Sequence, residues 1–509
     1  MTKILKYSLV AGFLLFASSC DKGLEKINKN QTDPTAIDPV LLLNNAIINS
    51  SFTTPTLIYD IGIVQQMVSP NGGVLAGANF NQDNRSAGTL WTTYYENVIK
   101  NTHDVINTTK DDPARGNLYN MARIFRAFAF MVLTDEYGDI PYSEGGAGYT
   151  DQIFFPVYDK QQDIYPQIIQ NLSDAAAALD ASGTIESQDF LYAGNIGQWK
   201  KFAYSLMLRA GMRLVKVDPA KAQSTVQAAV AGGVISSNAD NAYIRHDANY
   251  TLPLGSTLNG SEAANFFLTK PFVDQLKNTS DPRLAAIAVR YVGAASGNGQ
   301  TPAVATTDPA QQIGMPVGYD NGTIVAQAAA DGLASFYAYS QADRRRVVKT
   351  SAPAFLVTAA QTDLLLAEAA FRGWVSGSSD QYFADGIKAH MDQMALYDAG
   401  SAIAPADRDA YVAAHPLTAG SELEQINTQY WIASFLNGPE AFANFRRSGY
   451  PALAPNPYGQ PNNPDVPNGT FIRRITYPLS ELSVNADNVN AAIASQGADK
   501  LSTRVWWDK

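Results

Sequence analysis

Cysteine is almost missing: the 509-residue chain carries one, Cys20. A single thiol can form no internal disulfide and no cysteine-based metal cluster. Histidine is nearly as scarce. His103, His246, His390 and His415 lie far apart and none falls in an HExxH pattern, which argues against a zinc hydrolase. The GxSxG elbow, the GxxxxGKS/T phosphate loop and the GxGxxG fingerprint are also absent. Positive charge is limited, at 37 Lys+Arg against 47 Asp+Glu, and no long basic run occurs. That balance lacks the electrostatic footprint of a nucleic-acid binder. Apolar runs are too short or too interrupted by charge to span a bilayer.

What is present is an ordinary globular composition, 46% hydrophobic and 17% charged, sufficient for a substantial core. Aromatic residues are plentiful (25 Tyr, 22 Phe, 6 Trp), but a large core absorbs aromatics in any fold, so their number alone identifies no sugar site. The first residues are the clearest local signal. Lys3 and Lys6 precede a short apolar segment, 7–17, and then Ser18-Ser19-Cys20. This is the pattern of a secretory signal peptide over 1–19, with the cysteine at the cleavage point after small residues. It resembles a bacterial lipobox, with Ala17 where leucine is usual. Lipidation of Cys20 is therefore expected. Each buried acyl CH₂ contributes about 0.8 kcal/mol, so two or more chains hold a protein stably on a membrane. Residues 20–40, polar and broken by prolines, read as a tether.

Residues 41–509 read as a single mainly helical domain. Leu41 starts a first helix, and 67–88, rich in Gly, Asn and Ser, reads as a long loop of the kind that is often functional. In it Phe80, Asn81 and Arg85 offer stacking and hydrogen bonds to a polar ligand. Trp91 opens a helix with Tyr95, Val98, Val105 and Ile106 at helical spacing; it suits the core better than a ligand platform but is kept as a candidate contact. The segment 117–142 begins apolar on nearly every side, interrupted only by Arg123 and Arg126 before Thr134, so it reads as a core helix stopped by Gly138 and Pro141. Further stripes run through Ile164, Ile168, Leu172, Ala175 and Leu179, through Trp199, Phe202, Leu206, Ala210 and Leu214, and through Leu356, Ala360, Leu364, Ala367 and Phe371. Arg209 and Arg213 are expected as buried ion-pair partners. Between about 239 and 349 the periodicity fades and Gly, Asn, Thr and Pro rise, which reads as long loops with short helices or hairpins inserted into the scaffold. The Arg344-Arg345-Arg346 run would bind phosphate or carboxylate if exposed, and otherwise belongs to an ion-pair network.

Several of these segments, taken in order, resemble the SusD/RagB-like outer-membrane nutrient-binding lipoproteins of Bacteroidetes-type bacteria. The residues that carry the resemblance are Arg126-Ala127-Phe128 with Tyr137-Gly138-Asp139-Ile140-Pro141-Tyr142, the Trp91 helix, the Trp199–Arg213 stripe, and Ala367-Glu368-Ala369. To these add Phe445-Arg446-Arg447-Ser448-Gly449-Tyr450-Pro451, with Phe442 where tryptophan is usual, and the terminal Trp506-Trp507. The resemblance implies a mainly α fold, a tetratricopeptide-like superhelix with long loop insertions and a few short strands. It also implies a non-catalytic lipoprotein of the cell outer membrane, facing outward. Such a protein binds an oligosaccharide or peptide and passes it to a SusC-like TonB-dependent transporter barrel. In such proteins the insertions face the ligand, which would put Tyr250, Asn259, Phe336, Tyr337, Tyr339 or Arg344 near it. No cofactor is implied, and a calcium ion in the loops is left open. Two other classes are weighed: a secreted glycoside hydrolase, for which Asp135, Glu136 and Asp139 are the nearest approach to an acid pair, and a helical scaffold that binds only protein.

Overall fold

A computed structural model describes residues 37–53, 56–71, 84–457, 466 and 469–509, with backbone alone at 57, 58, 84 and 85. The expected signal peptide, Cys20, most of the tether, Phe80 and Asn81 lie outside the described residues, as does the Arg85 side chain. The chain divides into two compact units, Met1–Asp38 and Pro39–Lys509; nearly all the described residues belong to the second.

The second unit is built around the Gly116–Tyr137 helix. From Leu118 onward almost every side chain on it is buried, as an all-round apolar helix requires. Gly138, at φ +82°, ends it. A Cβ there would overlap the Gln496 side chain, whose Oε1 accepts from Asp139 N at 2.6 Å, so both conformation and close approach demand glycine. On one side the helix packs against Lys100–Thr109, and on the other against Gln161–Ala178. Next come Ile196–Arg213 and then Pro219–Gly232, each against its predecessor. A second series, Ala359–Phe371 with Ser379–Tyr397 and Glu422–Ala433, continues the arrangement. Its first helix begins at a capping box, in which Thr358 and Gln361 satisfy each other's orphan amides. The fold is mainly α, and the paired helices form a tetratricopeptide-like superhelix.

The expected interruption of the scaffold appears between its two series. Short helices alternate there with a three-stranded antiparallel sheet, Ala305–Thr306, Ala288–Tyr291 and Gln341–Ala342 in that order across the sheet. Two further ladders tie this region to the scaffold, Met67–Val68 with Phe267–Leu268 and Ala242–Ile244 with Ala354–Val357. The region has small cores of its own, one around Phe267, Met315, Leu333 and Tyr339 and one around Val289, Tyr291 and Ala294.

One boundary expectation is corrected. Residues 67–88 are not all loop: Met67–Val68 is a strand and a helix already runs Asn84–Thr93, so Trp91 lies inside a helix and does not open it. Six residues of wider π-helical turn, Tyr94–Ile99, then lead into Lys100–Thr109. Among the described residues, no helix is long and apolar enough to cross a membrane.

Candidate ligand-binding surface

The sequence candidates separate into three groups by position. Trp91 is 5% exposed, with its ring enclosed by Tyr95, Tyr137, Tyr158 and Tyr477 at centroid distances of 4.8–5.9 Å. Tyr339 is fully buried and donates to Asp331 Oδ2 at 2.5 Å, with its hydroxyl pKa pushed up mainly by burial. Both therefore act as core side chains, a correction to their candidacy as contacts. Asn259 spends its side-chain amide on Gly255 O and Val348 O, both at 2.8 Å, which fastens one inserted segment to the next. Tyr250 is 54% exposed but stands apart, on a turn where Asp247 Oδ1 accepts from the backbone of Asn249 and Tyr250.

Phe336, Tyr337 and Arg344 are brought together, with two residues outside the expected ligand contacts, Tyr291, one of the insertion's aromatics, and Gln300. Phe336 and Tyr337 stack at 4.2 Å between centroids, on a short turn capped by Ser335. Ser335 Oγ in turn donates to Ala294 O at 2.7 Å. Gln300 donates to Tyr337 O at 3.0 Å and accepts from Arg344 Nη2 at 3.2 Å. The Arg344 guanidinium carbon lies 5.3 Å from the Tyr291 ring centre. Arg344 has no carboxylate partner among its described contacts, and its Nε is sealed from solvent without a hydrogen bond. Its neighbour Arg346 does join the expected ion-pair network, with Asp343 at 2.6 Å. The result is a half-buried aromatic pair beside a guanidinium held only by a neutral amide. Such a pair beside a guanidinium without a described carboxylate partner suits a ligand that is apolar on its faces and polar on its rim. Tyr291 had an aromatic signal in the sequence. Gln300 had none, because its role depends on a backbone oxygen 37 residues away.

The acid cluster at the end of the Gly116–Tyr137 helix has a different character. Asp135, Glu136 and Asp139 are all at most 6% exposed. Asp135 accepts from Arg213 Nε at 3.2 Å and Trp507 Nε1 at 2.9 Å, and it also bonds Tyr165. Arg213 and Arg209 are buried ion-pair partners, as expected, both reaching Glu440 Oε2, at 2.7 and 3.2 Å. Burial pushes the Glu136 carboxyl up to about 7, with Arg446 opposing, and burial raises its neighbour Asp60 in the same direction. A glycosidase needs its two carboxyls flanking a substrate cleft; Asp135 and Glu136 are buried in the interior, and Asp139, which borders a cavity, has Oδ1 taken by Gln161 N at 2.8 Å. Among the described residues no group of three or more His, Cys, Asp or Glu is placed to hold a metal ion.

A family model described as starch-binding and associating with the outer membrane, SusD-like, matches residues 29–478. Among solved structures, a chitin-binding protein is 32% identical, with a TM-score of 0.81 over 93% of this chain and 100% of that one. A SusD-like protein from Bacteroidetes is 26% identical, with a TM-score of 0.78 over 93% and 100%. A chitin-binding SusD homolog from Flavobacterium johnsoniae is also 26% identical, with a TM-score of 0.74 over 92% and 98%. Among curated proteins none matches the chain.

Proposed function

The chain belongs to the SusD-like family, and from that premise we propose that it is a non-catalytic lipoprotein of the outer membrane. Anchored through Cys20 and facing outward, it captures an oligosaccharide and delivers it to a partner TonB-dependent transporter barrel. The observation that carries this reading is the family match across residues 29–478, to a family described as starch-binding and associating with the outer membrane. The signal-peptide pattern ahead of Cys20 supports the anchor, and the chitin-binding relatives make chito-oligosaccharides the first ligand to test.

We assign the capture surface to Tyr337, Phe336 and Arg344, with Gln300 and Tyr291 buried behind them as supports. A sugar ring would lie on the aromatic pair while Arg344, held in place by Gln300, meets its hydroxyls. Few charges are spent there, which fits a ligand that must be released again into a pore. The burial of Asp135, Glu136 and Asp139 disfavours the glycoside-hydrolase alternative at that cluster. Isothermal titration of the mature protein with chitohexaose and maltohexaose tests the assignment. Saturable binding of one of them, with no product released, is expected, and Tyr337→Ala is expected to weaken it. Turnover of the oligosaccharide, or binding that ignores Tyr337→Ala and Arg344→Ala alike, would overturn it.

A further inference from the structure

A second polar concavity lies in the helical scaffold, away from the inserted sheet. It is a cleft of about 260 Å³ between the helices Lys100–Thr109, Gly116–Tyr137 and Gln161–Ala178 and the loop that follows Tyr142. Arg123 and Arg126, the two charges that interrupt the otherwise apolar central helix, both line it. Neither is neutralised. Arg123 donates to the side-chain oxygens of Asn120 and Asn171, at 3.1 and 3.0 Å. Arg126 donates to Gly145 O at 2.9 Å and is 3.5 Å from Tyr142 O, and its Nε is sealed in without a partner. Every acceptor is uncharged, and no carboxylate pairs with either guanidinium among the described residues.

The acids nearby are committed elsewhere. Asp159 accepts from the backbone of Tyr142 and Ser143, at 3.0 and 2.8 Å. Asp151 is taken by Thr150 and His103. Consistent with a missing counter-charge, burial pulls the Arg126 pKa down from its usual value, with only tyrosines opposing. Two partly buried cations without an anion carry a desolvation cost that a bound anion would relieve.

The rest of the cleft narrows what that anion is. Its walls are Phe130, against the Tyr142 ring at 4.7 Å, together with Ile106. The Tyr142 hydroxyl accepts from Asn171 at 3.0 Å, which leaves its own proton free to donate. Gly145 is needed to bring its carbonyl over Arg126, because a Cβ there would lie 2.6 Å from Pro141 O and 2.9 Å from the Phe130 ring. The volume falls just short of the roughly 300 Å³ at which drug-sized pockets begin, so the occupant is about one ring in size. We propose that this cleft is a binding site for a carboxylate carried on a single sugar-sized ring, a hexuronate, with the carboxylate between Arg123 and Arg126 and the ring against Phe130 and Tyr142. Guanidinium forks match carboxylate geometry, and one anionic group suits the space.

The test is titration of the mature full-length chain with sodium glucuronate at fixed ionic strength, read by calorimetry and by thermal shift. Glucose, acetate and N-acetyl-aspartate serve as comparators. Glucuronate is expected to bind saturably and raise Tm. Glucose and acetate should bind at least ten-fold more weakly. Arg123→Gln and Arg126→Gln should each lose at least ten-fold in glucuronate affinity; Arg123, held by two amide side chains, is the replacement least able to disturb folding. Tyr337→Ala should leave the binding unchanged, so failure here is separable from failure of the glycan surface. Equal binding of glucose, or unaltered affinity in Arg123→Gln, overturns the proposal. N-acetyl-aspartate binding as tightly as glucuronate overturns the assignment of the carboxylate to a sugar ring.

Discussion

Arg213 and Arg344 each lie near an aromatic ring, Arg213 at 5.7 Å from Trp507 and Arg344 at 5.3 Å from Tyr291. Their electrical settings are opposite. Arg213, in the scaffold, is fully buried between Asp135 and Glu440. Arg344, in the inserted region, is half-buried and held by the neutral side chain of Gln300. The same contrast extends to the two regions. The scaffold closes these charges on one another: Glu368 is clamped by Arg447 at 2.7 Å and Arg372 at 2.8 Å, and Glu440 by Arg213 at 2.7 Å and Arg209 at 3.2 Å. The residues gathered around Arg344 are held by amide, hydroxyl and ring contacts. A charge already neutralised inside a fold has nothing left for a ligand, whereas a guanidinium held by neutral acceptors still has. Substitutions at these paired scaffold charges should therefore cost stability, and substitutions around Arg344 should cost binding.

The largest effect is expected at Glu368. Its carboxyl is held at about 2, burial being outweighed by Arg447 and Arg372. Glu368→Gln leaves Arg447 buried and half-paired, and should cost about 3–5 kcal/mol in chemical denaturation. The sign in pH follows: the folded pKa lies below the ordinary 4.5, so this stabilisation is complete above about 4.5 and is lost as pH falls toward 2.

Glu136 should show the opposite slope. Its folded pKa is raised from 4.5 to about 7, so the folded chain holds the extra proton across that interval. Its contribution is greatest below 4.5 and declines between 4.5 and 7, by about 3 kcal/mol. Glu136→Gln should flatten that decline in denaturation curves measured from pH 5 to 8. An unchanged slope would place the titrating group elsewhere.

In the insertion, Tyr337→Ala should lower oligosaccharide affinity about ten-fold, or about 1.4 kcal/mol, with a smaller change in unfolding free energy, about 1 kcal/mol. Calorimetry and denaturation on the same preparation separate the two. If Tyr337→Ala destabilises as much as Glu368→Gln, the contrast between the regions fails. The smallest effect is expected for Tyr250→Ala, a surface change away from both sites. Stability should stay within about 0.5 kcal/mol, and affinity should not move.

Much of the scaffold is legible in the sequence because its signals are local. Gly138 closes the central helix, and the apolar stripes at 164–179 and 199–214 predict buried helix faces, whereas the stripe from Leu356 begins too early, because Ala354–Val357 is a strand and the helix starts at Ala359. The start of the helix at Asn84 is not legible, because Asn-Arg-Ser-Ala-Gly carries no helical stripe. Trp91 is a core residue through Tyr137, Tyr158 and Tyr477, partners that only the fold brings near. The insertion was legible as an interruption, but the pairing of Gln300 with Tyr337 and Arg344 is long-range and leaves no periodic trace. The Arg123–Arg126 cleft has the same origin: the sequence shows two charges on an apolar helix, and only the packing shows that no acid among the described residues reaches them.

The capture-and-delivery role is tested most directly by purifying the full lipidated protein from gently solubilised outer membranes and identifying what accompanies it. A TonB-dependent transporter barrel in one-to-one amount is the expected result. Lipidated Cys20 with no barrel co-purifying would contradict the role and favour a helical scaffold that serves another protein.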